Sequence, residues 1–595
     1  MQTKETLLHS QFGHQTFRPL QEEAVDAILS GRDLLMILPT GGGKSLSYQL
    51  PTLLMEGTTV IVSPLLALMH DQVQSLQAQG MRAQMLSSMQ SAEESRDILS
   101  RLYRGDIQFL YLSPERLNTD AMRRVLQDII LNYFVIDEAH CISEWGHEFR
   151  SDFRALHRLR EYFPHTPIAA FTATATQPVR DDIERLLQLN HPCKLQGSVF
   201  RNNLHISVRH RMNDGYEQLL SVLQEHATHS GIVYAFSRKR VEAIANFLQR
   251  KGFKAAPYHA GLSTERRHEA FRAFVYDEVS IMVATIAFGM GIDKSNIRFV
   301  VHMSLPKTLE NYYQEMGRAG RDGDNADVVL LFGASDLLQQ RRFIEMHDDE
   351  HYKTQMLHKL NAMHRYATSE SCRHSQLARY FGDTIPVCAT CCDNCLEPEY
   401  DRCEMTTEAQ MLLCTVYRTG QVFGKNYVID ILRGSKEQKI LANGHDTLSV
   451  YGIGKTLSKQ QWLVVCERLL EMEALHVNAH QGLVLTKDGQ TVIVGKEKVH
   501  IRADRLNVQT KTLTKAALEP LEYDQNLFES LRTLRHEIAK EQGVPAYIVF
   551  GDKTLKEMAA RCPQSQEEML QIGGVGEVKF ARYGAAFLTQ LQQHS

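Results

Sequence analysis

The sequence predicts an α/β chain: two doubly wound parallel sheets in tandem, followed by smaller, mainly helical modules. Three observations carry this. Short apolar runs alternate with helix-length stretches, the pattern of strands buried on both faces. The series starts twice, once near the N-terminus and again after residue 206. Beyond it the composition turns helical and a cysteine cluster follows.

In the first half, DLLMILP (33–39), TTVIVSP (58–64), IQFLYLSP (107–114), YFVIDEAH (133–140) and PIAAFTATA (167–175) read as strands. Polar motif residues follow the C-terminal end of each, where doubly wound sheets place their ligand crevice. The second sheet is predicted from SGIVYAF (230–236), VSIMVAT (279–285), IRFVVHM (297–303) and ADVVLLF (326–332). Residues 336–370 read as helix, and 404–505 as short helices with a strand pair in LHVNAHQGLVLT (475–486). A polar linker follows near 503–520, and the remainder is helical apart from one glycine-rich turn.

At 595 residues the chain exceeds one core, and about 150 residues per domain suggests roughly four. Its 43% hydrophobic and 23% charged composition is ordinary for a soluble protein. MQTKETLLHSQFGHQTFRPL lacks the apolar run of a signal peptide. No segment approaches the roughly 20 apolar residues of a membrane span, so a cytoplasmic, intracellular location with no membrane partner is expected. A net charge of −4 excludes a uniformly basic nucleic-acid coat but leaves room for local basic grooves. Eleven cysteines, several of them clustered, suit a metal site better than a disulfide framework.

The run Gly41-Gly42-Gly43-Lys44-Ser45 follows a predicted strand. Backbone amides of Thr40, Gly41, Gly42 and Gly43 can cradle a nucleotide's β-phosphate. Lys44 would add a point charge and Ser45 a Mg²⁺ ligand. Leu38 stands where the usual G-x-x-x-x-G-K-[ST] pattern has its first glycine. An ordinary surface turn is the bland alternative. Asp137 and Glu138 weigh against it, because an apolar strand delivers both carboxylates. Asp137 suits Mg²⁺ positioning, and Glu138 suits activation of the attacking water. Gln314–Gly323, QEMGRAGRDG, offers Arg318 and Arg321 to the same phosphates from the second sheet.

GGGKS, DEAH (137–140), FTATA (171–175), ATIAFGMGIDK (284–294) and QEMGRAGRDG resemble superfamily 2 helicases in their order. FRPLQ (17–21) and CISEWGHEFRSDF (141–153) narrow the resemblance to the RecQ family, over nearly the whole chain. It implies RecA-like sheet domains at 1–205 and 206–335, and a helical zinc-binding domain at 336–403. It further implies a winged helix at 404–505 and a small helical HRDC domain at 521–595. Arg18 and Gln21 would recognise adenine, with His14 where the family often has a stacking tyrosine. Arg321 would be the arginine finger, Arg318 a phosphate contact or domain coupler, and Gly289 and Asp293 would approach the nucleotide from the second domain.

For nucleic acid, Ser63, Arg116 and His259 lie in turns that hold a phosphodiester backbone in helicases. Trp145, Phe149 and Arg150 interleave aromatic and basic residues just after the acidic pair; core packing is the better reading for nearby Phe153. In the resemblance this run couples single-strand binding to hydrolysis. Lys425 and Arg433, with Lys436 and Lys455, are candidate duplex contacts, or else a solvated charged face. Tyr547 and Lys579 are candidate HRDC contacts beside the turn Gly573–Gly576. The segment NAHQG (478–482) is too short for a long strand-splitting pin.

Of Cys372, Cys388, Cys391, Cys392 and Cys395, four can close a tetrahedral structural Zn²⁺ site. The resemblance assigns Cys372, Cys392 and Cys395, with Cys388 as the second ligand and Cys391 spare. Cys388-x-x-Cys391 remains a legal pair, and a redox role is the other alternative.

The expectation is an ATP-dependent 3′→5′ DNA helicase using ATP, Mg²⁺ and structural Zn²⁺ on single-stranded DNA and its junctions with duplex. Roles in DNA repair, recombination, replication and the SOS response follow from the family. So do a single-strand-binding protein and a topoisomerase as partners. The alternatives are an RNA helicase, or a DNA-binding regulatory protein whose ATP site is vestigial.

Overall fold

The structure, a computed structural model, describes residues 3–64, 66–87, 90–143, 151–285, 288, 294–396, 402–472, 474–478, 482–506 and 523–593. Its contacts form two compact units, Met1–Leu360 with His374–Cys391 and Glu519–Ser595, and Asn361–Arg373 with Cys392–Leu518.

In the first unit, β1 (Leu34–Ile37), β2 (Thr58–Val62), β3 (Ala83–Leu86), β4 (Phe109–Leu112), β5 (Leu131–Ile136), β6 (Ile168–Thr172) and β7 (Cys193–Gln196) form one sheet. Its order is β3-β4-β2-β5-β6-β1-β7 and every pair is parallel. Alternate side chains feed opposite layers. Leu35 and Ile37 pack with Val60, Phe134 and Ile136, whereas Leu34 and Met36 pack with Ile61, Tyr133 and Val135. Both faces are covered, as a parallel sheet requires.

The second sheet holds β8 (Leu204–His210), β9 (Ser230–Tyr234), β10 (Ala255–Tyr258), β11 (Ile281–Ala284), β12 (Ile297–His302) and β13 (Ala326–Phe332). Its order is β10-β11-β9-β12-β13-β8, again parallel throughout. Residues 197–203 join the two sheets from β7 to β8.

Residues 525–592 of the same unit make a helical bundle around Leu531, Phe550, Leu555, Met558 and Phe587. It touches both sheet domains. The Gly574 amide donates to Gly13 O at 3.1 Å, Arg582 Nη1 to Ala78 O, and Tyr276 Oη to Gly543 O at 3.0 Å. Lys556 pairs with Asp324 at 2.5 Å.

The second unit packs helices Thr406–Arg418, Lys425–Leu432 and Lys459–Glu471 around Leu412, Val428, Trp462 and Val465. The Trp462 indole donates to Gly454 O at 2.7 Å. β14 (Arg402–Glu404) pairs antiparallel with β17 (His500–Arg502), and β15 (Leu475–Val477) with β16 (Leu483–Leu485). The β15–β16 strands are three residues each. Asn478 and Gly482 close the hairpin through reciprocal bonds of 2.9 Å. Among the described residues no helix is long and apolar enough to cross a membrane.

Candidate nucleotide site and nucleic-acid track

The motif residues gather at the C-terminal ends of the first sheet. After β1 the chain turns through Gly41 and Gly43, at φ +81° and +86°, and enters the helix Lys44–Leu53. That conformation favours glycine. A glycine turn that runs into a helix's positive end is a geometry that suits an anion; here the Gly42 amide donates to Pro39 O at 2.9 Å. Leu38, the departure from the usual pattern, is a buried core residue. Its carbonyl accepts from Lys44 Nζ at 2.9 Å, and a Cβ on Gly197 would come within 2.5 Å of its Cδ2.

Arg18 and Gln21 brace this loop. Arg18 Nη1 donates to Gly41 O at 2.7 Å, and Gln21 Nε2 to Gly43 O at 3.0 Å. The Arg18 amide donates to Gln21 Oε1 at 2.8 Å, which fixes the carboxamide's orientation. His14 lies nearby on a cavity of about 270 Å³ that Phe12, Thr554, Gly574 and Lys579 also line. Burial, then Arg18 and Lys579, lowers the proton affinity of His14, which leaves its ring mostly neutral at pH 7. Burial alone pushes the Lys579 ammonium down to about 8. Lys579 and the Gly573–Gly576 turn therefore sit against the first sheet domain, beside His14.

β5 delivers Asp137 and Glu138. Glu138 adopts the left-handed region at φ 49°, ψ 45°, a strained conformation for a residue with a side chain. Its amide donates to Asp137 Oδ1 at 3.0 Å. Burial, then Glu138, raises the Asp137 carboxyl to about 7, against a smaller opposing pull from Lys44. A carboxylate pair that disfavours its own charge, with the Ser45 hydroxyl on the adjoining helix, is a donor set that suits a hard divalent cation.

His140 ties this pair to the next strand. Its Nδ1 lies 3.3 Å from Glu138 Oε2 and 3.0 Å from Thr172 Oγ1. Burial opposes a charge on His140, but Cys141 and Glu138 outweigh it and raise its proton affinity well above that of ordinary imidazole. The Thr172 hydroxyl donates onward to Thr174 O at 3.1 Å.

The arginine-bearing segment reaches this site from the second sheet. It follows the helix Leu309–Met316, and Arg318 is buried. The Tyr234 hydroxyl donates to Phe288 O at 2.9 Å, beside the charge of Arg318. A Cβ on Gly41 would lie 3.3 Å from Arg321 Cα, and one on Gly317 3.4 Å from the Thr40 side chain. The phosphate loop and the arginine segment thus touch through glycines. Gly289 and Asp293 lie outside the described residues.

Ser63 is 1% exposed at the end of β2. Ser113 caps a short helix by accepting from the Arg116 amide, which leaves the Arg116 side chain half-buried. His259 is buried, 3.0 Å from Glu242 Oε1, and accepts from the Gly261 amide. Trp145, Phe149 and Arg150 lie outside the described residues, whereas Phe153 is a core residue at 0% exposure. In the second unit, Lys425 Nζ sits 3.4 Å from Glu467 Oε1, while Arg433, Lys436 and Lys455 are exposed. Tyr547 is half-buried in the helix Ala546–Val549.

The sulphurs of Cys372, Cys388, Cys392 and Cys395 lie within 4.8 Å of one another. A tetrahedral zinc with Zn–S bonds of ~2.3 Å separates its sulphurs by about 3.8 Å, so the four fit that ion. Cys388 is the sulphur that joins Cys372, Cys392 and Cys395 in this cluster. Cys391 Sγ instead donates to Asn202 O at 3.1 Å. Arg373 stiffens the Cys392–Cys395 turn, with Nε at 2.9 Å from Asp393 Oδ1 and Nη2 at 3.1 Å from Oδ2.

A phosphate loop, an acidic pair and an arginine segment split between two parallel-sheet domains define a nucleotide-dependent motor of the helicase class. Family models agree: DEAD/DEAH box helicase matches residues 18–182, and helicase conserved C-terminal domain matches 214–323. RecQ zinc-binding matches 334–396, RQC domain 399–510 and HRDC domain 524–591. The chain belongs to the RecQ family. It is 42% identical, over all of its length and 94% of the relative's, to the ATP-dependent DNA helicase RecQ of Pasteurella multocida. The Haemophilus influenzae protein of that name is 41% identical over 99% of this chain and 96% of its own. The Bacillus subtilis protein is 40% identical over 99% and 98%.

Proposed function

We propose that this chain is an ATP-dependent DNA helicase that moves 3′→5′ on single-stranded DNA and unwinds duplex in repair and recombination. The observation that carries the reading is the meeting of the phosphate loop with the arginine segment at Gly41 and Arg321. Groups on two domains can then grip one nucleotide, and cleft closure depends on it.

In this reading the Thr40–Gly43 amides and Lys44 hold the phosphates, while Arg18, Gln21 and His14 flank the base. Ser45 and Asp137 would hold Mg²⁺, which neutralises phosphate charge. Glu138 orients the attacking water and accepts its proton. Arg321 meets the charge that develops on the transferred phosphoryl group, and Arg318 links that event to the second domain. The Glu138–His140–Thr172 chain carries the change to the C-terminal end of β6, on the side where nucleic acid would bind. Zinc on the four cysteines would contribute stability, and the winged helix would hold duplex.

The test is ATPase and unwinding measured with 3′-tailed and 5′-tailed DNA duplexes and their RNA counterparts. Selective unwinding of the 3′-tailed DNA, lost in Lys44→Ala, is expected. RNA preference would replace DNA with RNA as substrate. Absence of turnover in the native protein would sink the motor reading.

A further inference from the structure

We propose that Arg201, in the segment between the sheets, is a positioning residue for ATP hydrolysis that clamps the phosphate loop to the arginine segment. The proposal rests on the ATPase reading above. Arg201 Nη1 donates to Gly317 O at 3.1 Å and reaches Thr40 O at 3.5 Å. Nη2 donates to Gly320 O and to Asn203 Oδ1, the latter at 3.3 Å. One guanidinium therefore spans the residue that opens the phosphate loop and the carbonyls that immediately precede Arg318 and Arg321.

The surrounding contacts serve the same junction. Asn203 Nδ2 donates to Gly320 O at 2.8 Å and to Asp324 O at 2.9 Å. Gly320, at φ +58°, has no room for a side chain, because a Cβ would lie 2.5 Å from Asn203 Nδ2. The Tyr313 hydroxyl donates to Val199 O at 2.8 Å, which pins the joining segment to the helix that leads into the arginines.

The hydrogen bonds of Arg201 go to carbonyl oxygens. Burial lowers its pKa to about 10, with Tyr313 opposing and Arg321 adding repulsion. A cation held against uncharged acceptors, close to a second arginine, raises the positive potential over the phosphate loop where a polyanion would sit. Lysine cannot reproduce the arrangement. Its single ammonium lacks the planar fork needed to serve Gly317, Gly320 and Thr40 together.

Arg201 has a distinct kinetic signature, because it acts through Arg321 and not as a ligand of the base. Arg201→Ala should lower the DNA-stimulated kcat for ATP roughly 10- to 100-fold, with KM and single-strand affinity changed less than about threefold. Arg201→Lys should recover little of it. The double variant R201A/R321A should be no slower than R321A, since residues acting as one unit are non-additive. Melting temperatures of all variants are measured alongside; if Arg201→Ala does not fold, the same comparison is made with Arg201→Gln. An unchanged kcat, a rise confined to KM, or additive losses in the double variant would each overturn the proposal. Failure of the native protein to hydrolyse ATP would instead remove the reading on which it rests.

Discussion

His140 Nδ1 stands 3.0 Å from Thr172 Oγ1, so the acidic pair after β5 is wired to the turn after β6. The hydroxyl is buried and also bonds Thr174 O. Thr172→Val keeps the shape and deletes these two bonds together with the one the hydroxyl accepts from the Thr174 amide at 3.4 Å. A buried partner left unpaired costs about 1–3 kcal/mol. DNA-stimulated ATPase should fall roughly 10-fold, and basal ATPase by much less. Equal loss with and without single-stranded DNA would show that the hydroxyl supports the fold and not the coupling.

Asp137 makes a pH prediction. Its carboxyl is raised to about 7, chiefly by burial and then by Glu138, so the folded state binds this proton more tightly than the unfolded state. Its ionisation therefore destabilises the protein above pH 7, and the penalty fades as pH falls toward the unfolded value near 4. Asp137→Asn removes the penalty. In metal-free buffer at pH 8 the variant should melt about 2–4 °C higher than the native chain, the shift that ~1 kcal/mol produces in a large domain. The gap should narrow as pH falls below 7 and close only near pH 4, and turnover should be lost. A gap independent of pH would mean that Asp137 is not the titrating group.

The sheet cores were legible in the sequence and their edges were not. Every strand read from an apolar run, from DLLMILP to ADVVLLF, lies inside a sheet or beside its centre. In the two large sheets, the four that escaped, β3 (Ala83–Leu86), β7 (Cys193–Gln196), β8 (Leu204–His210) and β10 (Ala255–Tyr258), are the four edges. An edge strand buries fewer side chains, as in the alternating exposure of Cys193–Gln196, and so lacks the continuous apolar signal. The site divides in the same way. Lys44, Asp137, Glu138 and Arg321 sit in compact motifs. Arg201 and Asn203 carry no local signature, because their partners lie more than 100 positions away in sequence. Likewise the pairing of His140 with Thr172 exists only once β5 and β6 are neighbours.

The cysteine assignment yields a direct chemical test. Cys388→Ser removes a ligand from the four-sulphur cluster, whereas Cys391→Ser only exchanges a thiol that donates to Asn202 O. Zinc content by plasma mass spectrometry should stay near one per chain for Cys391→Ser and fall well below that for Cys388→Ser. Cys388→Ser should also melt lower, because structural zinc binding is linked to folding. Equal zinc retention in both variants would mean that the cluster closes with either cysteine.

Gly13 carries one of the contacts that dock the C-terminal bundle beside the base-flanking residues. At φ +69°, a Cβ there would meet Gly576 N at 2.7 Å and Val575 C at 3.0 Å, both backbone atoms with no freedom to rotate away. Gly13→Ala therefore carries a left-handed strain and a steric clash at the point where the Gly574 amide donates to Gly13 O. The bundle has its own core around Leu531, Phe550 and Phe587, so the substitution should release the contact without unfolding it. Hydrogen exchange at Gly574 should accelerate at least about 10-fold, while amides in the helix Gln525–Gln542 keep their protection. Exchange that rises throughout the bundle would indicate unfolding, and unchanged exchange at Gly574 would show that the contact with Gly13 does not protect it.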